Sequence, residues 1–168
     1  MPVSSKYSRC CLIFPDNISD IKFRGTNLSR SGDIEFDIFV LMIYHTLYIE
    51  KSNGRGRGVF TNENIMTGTI LETSPVIVMS NEERKLLDQT LLHDYIFEWG
   101  PHSDQCCMAL GYVPVYNHSY NSNCEYEMDF GNSMIRIKAV CFINAGEELF
   151  INYNGNWNDP KPVWFDVK

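Results

Sequence analysis

Short strand-like segments dominate the second half of this chain, and turn residues separate them at close intervals. Apolar, aromatic and β-branched residues are concentrated in residues 95–99, 105–111, 125–130, 134–140 and 148–153, whereas Gly, Pro, Asn and Ser fill the gaps between them. Segments of this length and composition, bounded by turn residues, are typical of β-strands. The pattern therefore predicts a mainly β fold, a β-rich α+β domain with one or two short helices.

The middle of the chain carries the clearest helix signal. Ser80 can cap a helix N-terminus, and Glu83, three residues later, completes a capping box. The residues that follow are good helix formers, and we expect the helix to end near Leu91. Immediately before it, residues 69–79 are predicted to form strands interrupted at Pro75, because proline cannot donate a hydrogen bond to a β-ladder.

Length and charge narrow the class of protein. The chain has 168 residues, of which 44% are hydrophobic and 21% are charged, so it can bury one core and is not disordered. Its 14 basic and 21 acidic residues give a net charge of -7. That balance repels phosphate backbones and favours cationic partners, so we expect no direct binding to nucleic acid.

The six cysteines form neither a disulfide framework nor a usual zinc motif. Four of them are adjacent pairs, Cys10 with Cys11 and Cys106 with Cys107, and no C-x-x-C occurs. We find no signal-peptide pattern, and the most apolar stretch, residues 38–49, is shorter than the roughly 20 residues of a membrane helix. We therefore expect free thiols in a soluble, intracellular protein of the cytoplasm or nucleus, with no membrane partner.

Three short motifs are each weak evidence of a functional site when taken alone. The glycine-rich segment 54–58 lacks the ending of a P-loop and the spacing of a dinucleotide fingerprint, so by itself it is a turn whose glycines also let main-chain groups approach a ligand. The polar segment 116–124 is typical of a loop, and His118 alone would more often be structural than catalytic. Tyr153, at the end of segment 148–153, taken alone is an ordinary half-buried strand tyrosine.

The order of these motifs resembles the SET-domain family of protein lysine methyltransferases. The resemblance covers roughly residues 47–157 and rests on GRGVF at 56–60, NHSYNSNC at 117–124 and GEELFINY at 146–153. The chain is similar to compact members that consist of little more than the SET core. This resemblance implies a SET fold of several small β-sheets with few short helices. In that fold the segment that carries Tyr153 passes beneath the loop that carries Asn117 and forms a C-terminal pseudoknot.

The same resemblance implies a cofactor and a site. Members of the family bind S-adenosylmethionine, release S-adenosylhomocysteine, and admit the target lysine from the opposite face through a narrow channel. Tyr153 and Tyr116 are the implied catalytic residues. Tyr95, Tyr116 and Ile151 are implied to line the substrate channel. The residues implied to bind the cofactor are Gly56, Arg57, Gly58, Asn117, His118, Tyr153 and one aromatic residue of the tail.

The tail departs from the pattern of many family members. Residues 154–168 contain no cysteine, so we expect no zinc site there. An aromatic residue must then cover the cofactor in another way. Trp157 is the first choice, because it lies four residues beyond Tyr153 in a turn-rich segment that can fold back. Trp164 is the second choice, followed by Phe165.

The position of Ile151 bears on the number of methyl groups added. It lies two residues before Tyr153, where related enzymes carry phenylalanine or tyrosine beside the lysine amine. A tyrosine hydroxyl there can hold a water in the space that a second methyl group needs. Ile151 has no hydroxyl, so we expect methylation beyond the monomethyl stage, provided that neither Tyr116 nor Tyr95 refills the gap.

The primary hypothesis is an S-adenosylmethionine-dependent methyltransferase that acts on lysine side chains of a basic protein, such as a histone. The alternative from another class is a SET-like binding or scaffold module with little turnover, which Thr73 and Val115 favour because they depart from the family pattern. We predict an irregular N-terminal extension at 1–45, a SET domain at 46–157 and a tail at 158–168. Compact SET cores often lack the regions that complete the substrate groove, which allows a homodimer.

Overall fold

The computed structural model describes residues 41–167. The predicted N-terminal extension, residues 1–45, lies almost entirely outside this range, so the domain boundaries stay a prediction. The described strands are β1 (Met42–Ile43), β2 (Leu47–Ser52), β3 (Gly56–Thr61), β4 (Ile70–Met79), β5 (Phe97–Trp99), β6 (Gln105–Ala109), β7 (Asn117–His118), β8 (Cys124–Asp129), β9 (Met134–Ala139) and β10 (Glu148–Ile151). The described helices are α1 (Asn81–Leu87) and the 3-10 helices η1 (Leu91–Tyr95) and η2 (Val113–Val115).

The strands form two sheets. A six-stranded sheet has the order β5-β6-β4-β9-β8, with β1 also paired to β4, and a four-stranded sheet has the order β2-β3-β10-β7. In the second sheet β10 runs antiparallel to β3 and parallel to β7, with Ile151 opposite His118. This confirms the mainly β fold. It also shows that β10 joins the strand that follows the glycine turn to the strand that carries the polar loop.

The burial pattern of β9 follows directly from its sequence. Ile135, Ile137 and Ala139 are fully buried, whereas Arg136 and Lys138 between them are only partly covered. Successive side chains of a strand point to opposite faces. Because apolar and charged residues alternate along β9, its apolar face packs on the core and its charged face is directed toward solvent. The core that β9 faces also contains buried apolar residues of the other sheet, including Val59 and Leu149.

The prediction that Pro75 interrupts the strands at 69–79 was wrong. Residues Ile70–Met79 form one strand, and Pro75 lies inside it. On one side of β4, β1 pairs as far as Thr73 and β6 begins to pair at Val76. The Pro75 carbonyl accepts from Leu110 N–H on this side, 3.0 Å away. Proline is tolerated here because its missing N–H falls in the gap between the two partner strands.

The predicted capping box is confirmed at the start of α1. Ser80 Oγ accepts from Glu83 N–H, and Glu83 Oε2 accepts from Ser80 N–H at 2.8 Å. The helix ends at Leu87, earlier than the predicted Leu91, because the Thr90 hydroxyl caps η1 and starts a new turn. None of the helices described within residues 41–167 is long and apolar enough to cross a membrane.

The four cysteines within the described residues are free thiols. Cys106, Cys107 and Cys124 are buried, and Cys141 is exposed. Burial raises the pKa of Cys107 to about 12, so this thiol is protonated at neutral pH. Cys10 and Cys11 lie outside the described residues.

Candidate active site

Tyr153 lies two residues after the end of β10, and both its backbone N–H and its side-chain hydroxyl are hydrogen-bonded. Its phenol hydroxyl donates to the main-chain carbonyl of Tyr116 at 2.9 Å, and its own N–H donates to His118 Nδ1 at 3.1 Å. The side chain is half-buried. Burial, followed by the negative charge of Asp94, raises the pKa of Tyr153 to about 12, so the phenol is neutral and able to donate near neutral pH.

Tyr116 contributes its main chain to this arrangement. Its side chain is 1% exposed, and its hydroxyl points into the core, where burial and the nearby Glu72 carboxyl keep the pKa of Tyr116 well above its usual range. The carbonyl on the other side receives the Tyr153 hydroxyl. Tyr116 was predicted as a catalytic and channel residue, and the structure places its carbonyl, not its phenol, beside Tyr153.

A cleft of about 1040 Å³ opens in front of Tyr153. Tyr95, Phe97, Tyr126 and Trp164 line it together with Tyr153. The predicted channel residue Tyr95 is therefore at the cleft, 37% exposed. An aromatic wall of this kind suits a long apolar side chain that carries a charged head, such as lysine.

Tyr126 was missed by the sequence analysis. Its hydroxyl donates to the Tyr153 carbonyl at 3.4 Å, and its ring lies edge-on to Phe97 with the ring centres 5.6 Å apart. Burial raises the pKa of Tyr126 to about 12. One sequence feature could have indicated Tyr126: it lies two residues after the end of the polar motif at 117–124.

Ile151 occupies a different environment from the one expected. It is fully buried in the hydrophobic core, opposite His118 in the parallel pair of β7 and β10. It is absent from the walls of the cleft. The lining of the cleft does not support the predicted contact between Ile151 and the lysine amine. That contact stays a prediction.

The glycine turn is tied to the polar loop through Asn117 and Glu148. The Asn117 side-chain amide donates to the Arg57 carbonyl at 3.0 Å and to Glu148 Oε1 at 2.6 Å. The other carboxylate oxygen of Glu148 accepts from Ser52 Oγ at 2.7 Å. A side chain at Gly58 would overlap Glu148 Oε1, so a larger residue there would displace the carboxylate that Asn117 binds. Glu148 was not singled out from the sequence, although it lies inside the third motif.

Glycine also sets the path of the turn itself. Residues 53–55 connect β2 to β3 in a hairpin, which confirms the predicted turn between strands. Gly54 and Gly56 have φ values of 75° and 80°, a conformation that favours glycine. Arg55 between them lies over the Phe150 ring, 5.0 Å from its centre, so its guanidinium is directed across β10.

His118 links the loop to Tyr153 and has one unpaired nitrogen. It is 3% exposed, and its Nδ1 accepts from Tyr153 N–H, so the proton of the neutral ring lies on Nε2. That Nε2 is buried and has no hydrogen-bond partner among residues 41–167. Burial, and then the positive charge of Arg55, lowers the pKa of His118. The ring therefore presents a neutral donor at the base of the Tyr153 segment.

Two tail aromatics, Trp164 and Phe165, lie against Tyr153. Trp164 is stacked on it, with ring centres 6.1 Å apart and planes inclined by 25°, and Phe165 is 6.0 Å away in an edge arrangement. Trp157, the first choice from the sequence, is on neither the cleft wall nor this aromatic cluster, and its carbonyl accepts from Ser122. The structure thus brings the second and third choices to the site.

Polar bonds hold the tail in this position. The Asn154 side-chain amide donates to the Lys161 carbonyl at 2.6 Å, and the Asn152 amide donates to the Asp159 carbonyl at 2.8 Å. Val163 N–H donates to the Tyr120 hydroxyl at 3.3 Å, one residue before Trp164. Among residues 41–167, no group of three or more Cys, His, Asp or Glu is arranged to hold a metal ion.

The residues present fit S-adenosylmethionine. Its sulfonium cation suits the rings of Tyr153, Trp164 and Phe165, because aromatic faces attract cations. Its carboxylate suits the Arg55 guanidinium, and the unpaired Nε2–H of His118 is a buried donor that a ligand can satisfy. These features converge around Tyr153.

Fold and site together define a SET domain, and the comparisons agree. The SET domain family model matches residues 56–154, so the chain belongs to the SET-domain family. A Schizosaccharomyces pombe protein named "Histone-lysine N-methyltransferase, H3 lysine-37 specific" is 32% identical over 126 residues, which cover 74% of this chain and 80% of that protein. The family resemblance drawn from the three motifs is thereby confirmed.

Solved structures give the same result. A Plasmodium falciparum protein described as a candidate histone methyltransferase superposes with a TM-score of 0.53 at 31% identity, covering 68% of this chain and 98% of its own. A humanized mutant of the Chaetomium thermophilum Polycomb Repressive Complex 2 superposes with a TM-score of 0.57 at 21% identity, covering 66% of this chain and 15% of its own. At that identity the second likeness shows the fold alone.

Proposed function

We propose that this chain transfers a methyl group from S-adenosylmethionine to a lysine side chain of a basic protein substrate. The broader class rests on family membership: the chain is a protein-lysine N-methyltransferase of the SET type. The observation that carries the finer proposal is the position of Tyr153. Its N–H and O–H are both fixed by the polar loop, and its ring lines the cleft and stacks on Trp164 of the tail.

The proposed cofactor residues surround β10. Main-chain groups of Gly56, Arg57 and Gly58 are proposed to meet the amino acid end, with the Arg55 guanidinium near the carboxylate. Asn117 and His118 are proposed to hold the adenine end. The tight bond between Asn117 and Glu148 supports this arrangement, because it joins the two ends of the site in one rigid unit.

For the aromatic that covers the cofactor, we propose Trp164 with Phe165 in preference to Trp157. Both rings lie against Tyr153, and Phe165 also lies edge-on to His118. Trp164 is 68% exposed in the described structure, so a large part of its ring is free to contact a ligand.

Bound S-adenosylmethionine supplies an activated methyl group on a sulfonium. The chain's own residues provide alignment, which is most of the task in an in-line displacement. The Tyr153 hydroxyl, which already donates to the Tyr116 carbonyl, is proposed to orient the lysine amine and the methyl group. The apolar cleft wall would favour the neutral amine, whose ordinary pKa is near 10.4, because desolvation penalises the charged form.

The charge at the cleft supports a basic substrate. Asp94 lines the cleft and, among the described residues, has no ion-pair partner. Glu98 and Asp88 line it as well, but they are paired with Arg84 and His93. A free carboxylate beside an aromatic wall favours a cationic peptide such as a histone tail. An intracellular location follows from such a substrate. A homodimer stays a prediction, which light scattering on the purified chain tests.

Mass spectrometry tests the proposal. The chain is incubated with methyl-deuterated S-adenosylmethionine and recombinant histone H3, with Tyr153→Phe as a control for contaminating activity. We expect labelled methyl groups on lysine with the wild type and a large loss with the variant. Calorimetric binding of the cofactor without any labelled lysine, across histones and ribosomal proteins, would support the scaffold alternative. Absence of both would overturn the enzymatic proposal.

A further inference from the structure

The core beneath the site contains a carboxyl group that none of the proposed steps uses. Glu72 on β4 is fully buried, yet it belongs to a residue type that is almost never buried without partners. Its Oε1 accepts three hydrogen bonds, from Ser74 Oγ at 2.6 Å, Tyr112 N–H at 2.7 Å and Val113 N–H at 3.3 Å. Two of these donors are the amides that open η2.

The turn before η2 is shaped around this carboxyl. Gly111 has a φ of 101°, and a side chain there would overlap Glu72 Oε1 and Ser74 Oγ. The chain therefore needs glycine at this position for two reasons, its conformation and the space that the carboxyl fills. Glu72 and the turn fit each other as a unit.

The path from Glu72 to the site is short. η2 begins at Val113, which Glu72 holds, and it ends at Val115 with Tyr116 as the next residue. The Tyr116 carbonyl accepts the Tyr153 hydroxyl at 2.9 Å. In the part of the chain that the structure describes, the second oxygen of Glu72 and the Tyr116 hydroxyl are both buried without a hydrogen-bond partner, and the phenol neighbours the carboxyl. Glu72 thus accepts hydrogen bonds from the start of this segment, at Tyr112 and Val113, and neighbours the phenol of Tyr116 at its end.

We infer that Glu72 is a positioning residue for Tyr153, which it acts on through the Gly111 turn, η2 and the Tyr116 carbonyl. The inference rests on the proposed function, because it takes Tyr153 as the residue that orients the reacting groups. It assigns no contact between Glu72 and substrate or cofactor. Its physical reason is that a misplacement of reacting groups by about 1 Å can cost about 10²-fold in rate.

Three variants separate this role from ordinary core packing. Glu72→Leu removes the acceptor at similar volume. Glu72→Gln keeps an acceptor oxygen for the two amides. Ser74→Ala is the matched control, because it removes a hydrogen bond to the same oxygen without touching η2. Each is measured for kcat, for the cofactor Kd and for the ¹³Cζ chemical shift of Tyr153 in tyrosine-labelled protein, with the signal assigned by its loss in Tyr153→Phe.

We expect Glu72→Leu to lower kcat by about 10²-fold with an almost unchanged cofactor Kd, and to move the Tyr153 ¹³Cζ signal. Glu72→Gln should restore most of kcat and the wild-type chemical shift, and Ser74→Ala should resemble the wild type in both. If Glu72→Leu does not fold, Glu72→Asp takes its place, because the shorter side chain cannot reach both amides. Wild-type kcat and an unmoved Tyr153 signal in the Leu or Asp variant would overturn the inference.

The failure of this inference is distinguishable from failure of the proposed function. If Tyr153→Phe retains full turnover, Tyr153 has been assigned wrongly, whatever Glu72 does. If Tyr153→Phe loses turnover while the Glu72 variants retain it, only the positioning role is overturned. The chemical shift needs no activity at all, so it tests the structural link by itself.

Discussion

The side-chain amide of Asn117 lies 2.6 Å from Glu148 Oε1, and it bonds the Arg57 carbonyl from the same nitrogen. One amide thus joins three segments that are far apart in the sequence: the glycine turn, the polar loop and β10. We expect Asn117→Ala to destabilise the fold by about 1–3 kcal/mol, because it leaves a carboxylate and a carbonyl without their donor. It should also weaken cofactor binding, because the glycine turn is no longer held. Urea unfolding and calorimetry measure the two effects.

Asn132→Ala is the matched control for that prediction. Asn132 also uses its side-chain amide, as a donor to Asp129 Oδ2, but in an exposed turn. Its loss should change the free energy of unfolding by no more than about 0.5 kcal/mol. Equal stability of the two variants would show that the Asn117 bonds are not part of the structural core of the site.

The tail offers a paired test with its two tryptophans. Trp164→Ala should raise the cofactor Kd by about two- to thirteenfold, the range that an aromatic contact of about 0.5–1.5 kcal/mol supports. Its effect on the melting temperature of the free protein should be small, because the side chain is 68% exposed. Trp157→Ala should leave the Kd unchanged. The opposite result, with only Trp157 affecting the Kd, would restore the order of preference drawn from the sequence.

Acid should destabilise the protein through His118. Its pKa is lowered in the folded state, so as the pH falls below about 6.5 the unfolded chain takes up the proton first. Stability is therefore lost with falling pH, with a slope of at most about 1.4 kcal/mol per pH unit for one proton. Glu72, whose pKa is raised by burial, acts in the opposite sense, because the folded protein takes up its proton before the unfolded chain does.

The His118 contribution is isolated by comparison with variants. His118→Asn retains Glu72, so the difference between its unfolding curves and those of the wild type reports the histidine alone. His102→Asn, at an exposed position, is the control and should keep the wild-type dependence. If the wild type and His118→Asn lose stability in parallel between pH 7.5 and 5.5, the buried neutral imidazole is not the cause.

The local parts of the fold and site could be predicted from the sequence. The capping box at Ser80 and the alternation of β9 depend on residues a few positions apart, so they are visible in one segment. The three motifs located Tyr153, Asn117 and the glycine turn through their resemblance to a family. Pro75 was misread because the partners of β4 on each side of it come from distant segments.

The contacts between distant segments could not be predicted. The sequence predicted a tail that folds back, but it could not rank Trp164 above Trp157, because the position of Trp164 depends on hydrogen bonds that involve Asn154 and Tyr120. Glu72 looks like an ordinary strand residue until the turn at Gly111 is seen packed around its carboxyl. In both cases the role of the residue depends on the groups from distant segments that pack against it.

The product of the reaction should depend on Tyr126. Tyr126 lines the cleft, and its hydroxyl donates to the Tyr153 carbonyl. We predict that this hydroxyl holds a water in the space that further methyl groups need. We expect Tyr126→Phe to shift the products of long reactions toward di- and trimethyl-lysine. Ile151→Tyr should instead destabilise the protein, by about 1–3 kcal/mol, because the site is fully buried and would be overpacked. Intact-mass analysis of a single-lysine peptide measures the product distribution of Tyr126→Phe. An unchanged distribution would exclude this role for Tyr126.

The most direct test of the central claim is the separation of cofactor binding from turnover in Tyr153→Phe. The variant removes only the hydroxyl that donates to the Tyr116 carbonyl, so the ring and its stacking on Trp164 remain. Single-turnover methyl transfer with saturating S-adenosylmethionine, together with the cofactor Kd by calorimetry, is measured for both proteins. We predict a similar Kd and a rate lower by about 10²- to 10³-fold, as for loss of one preorganised hydrogen-bond donor. A wild-type rate in the variant would contradict the account.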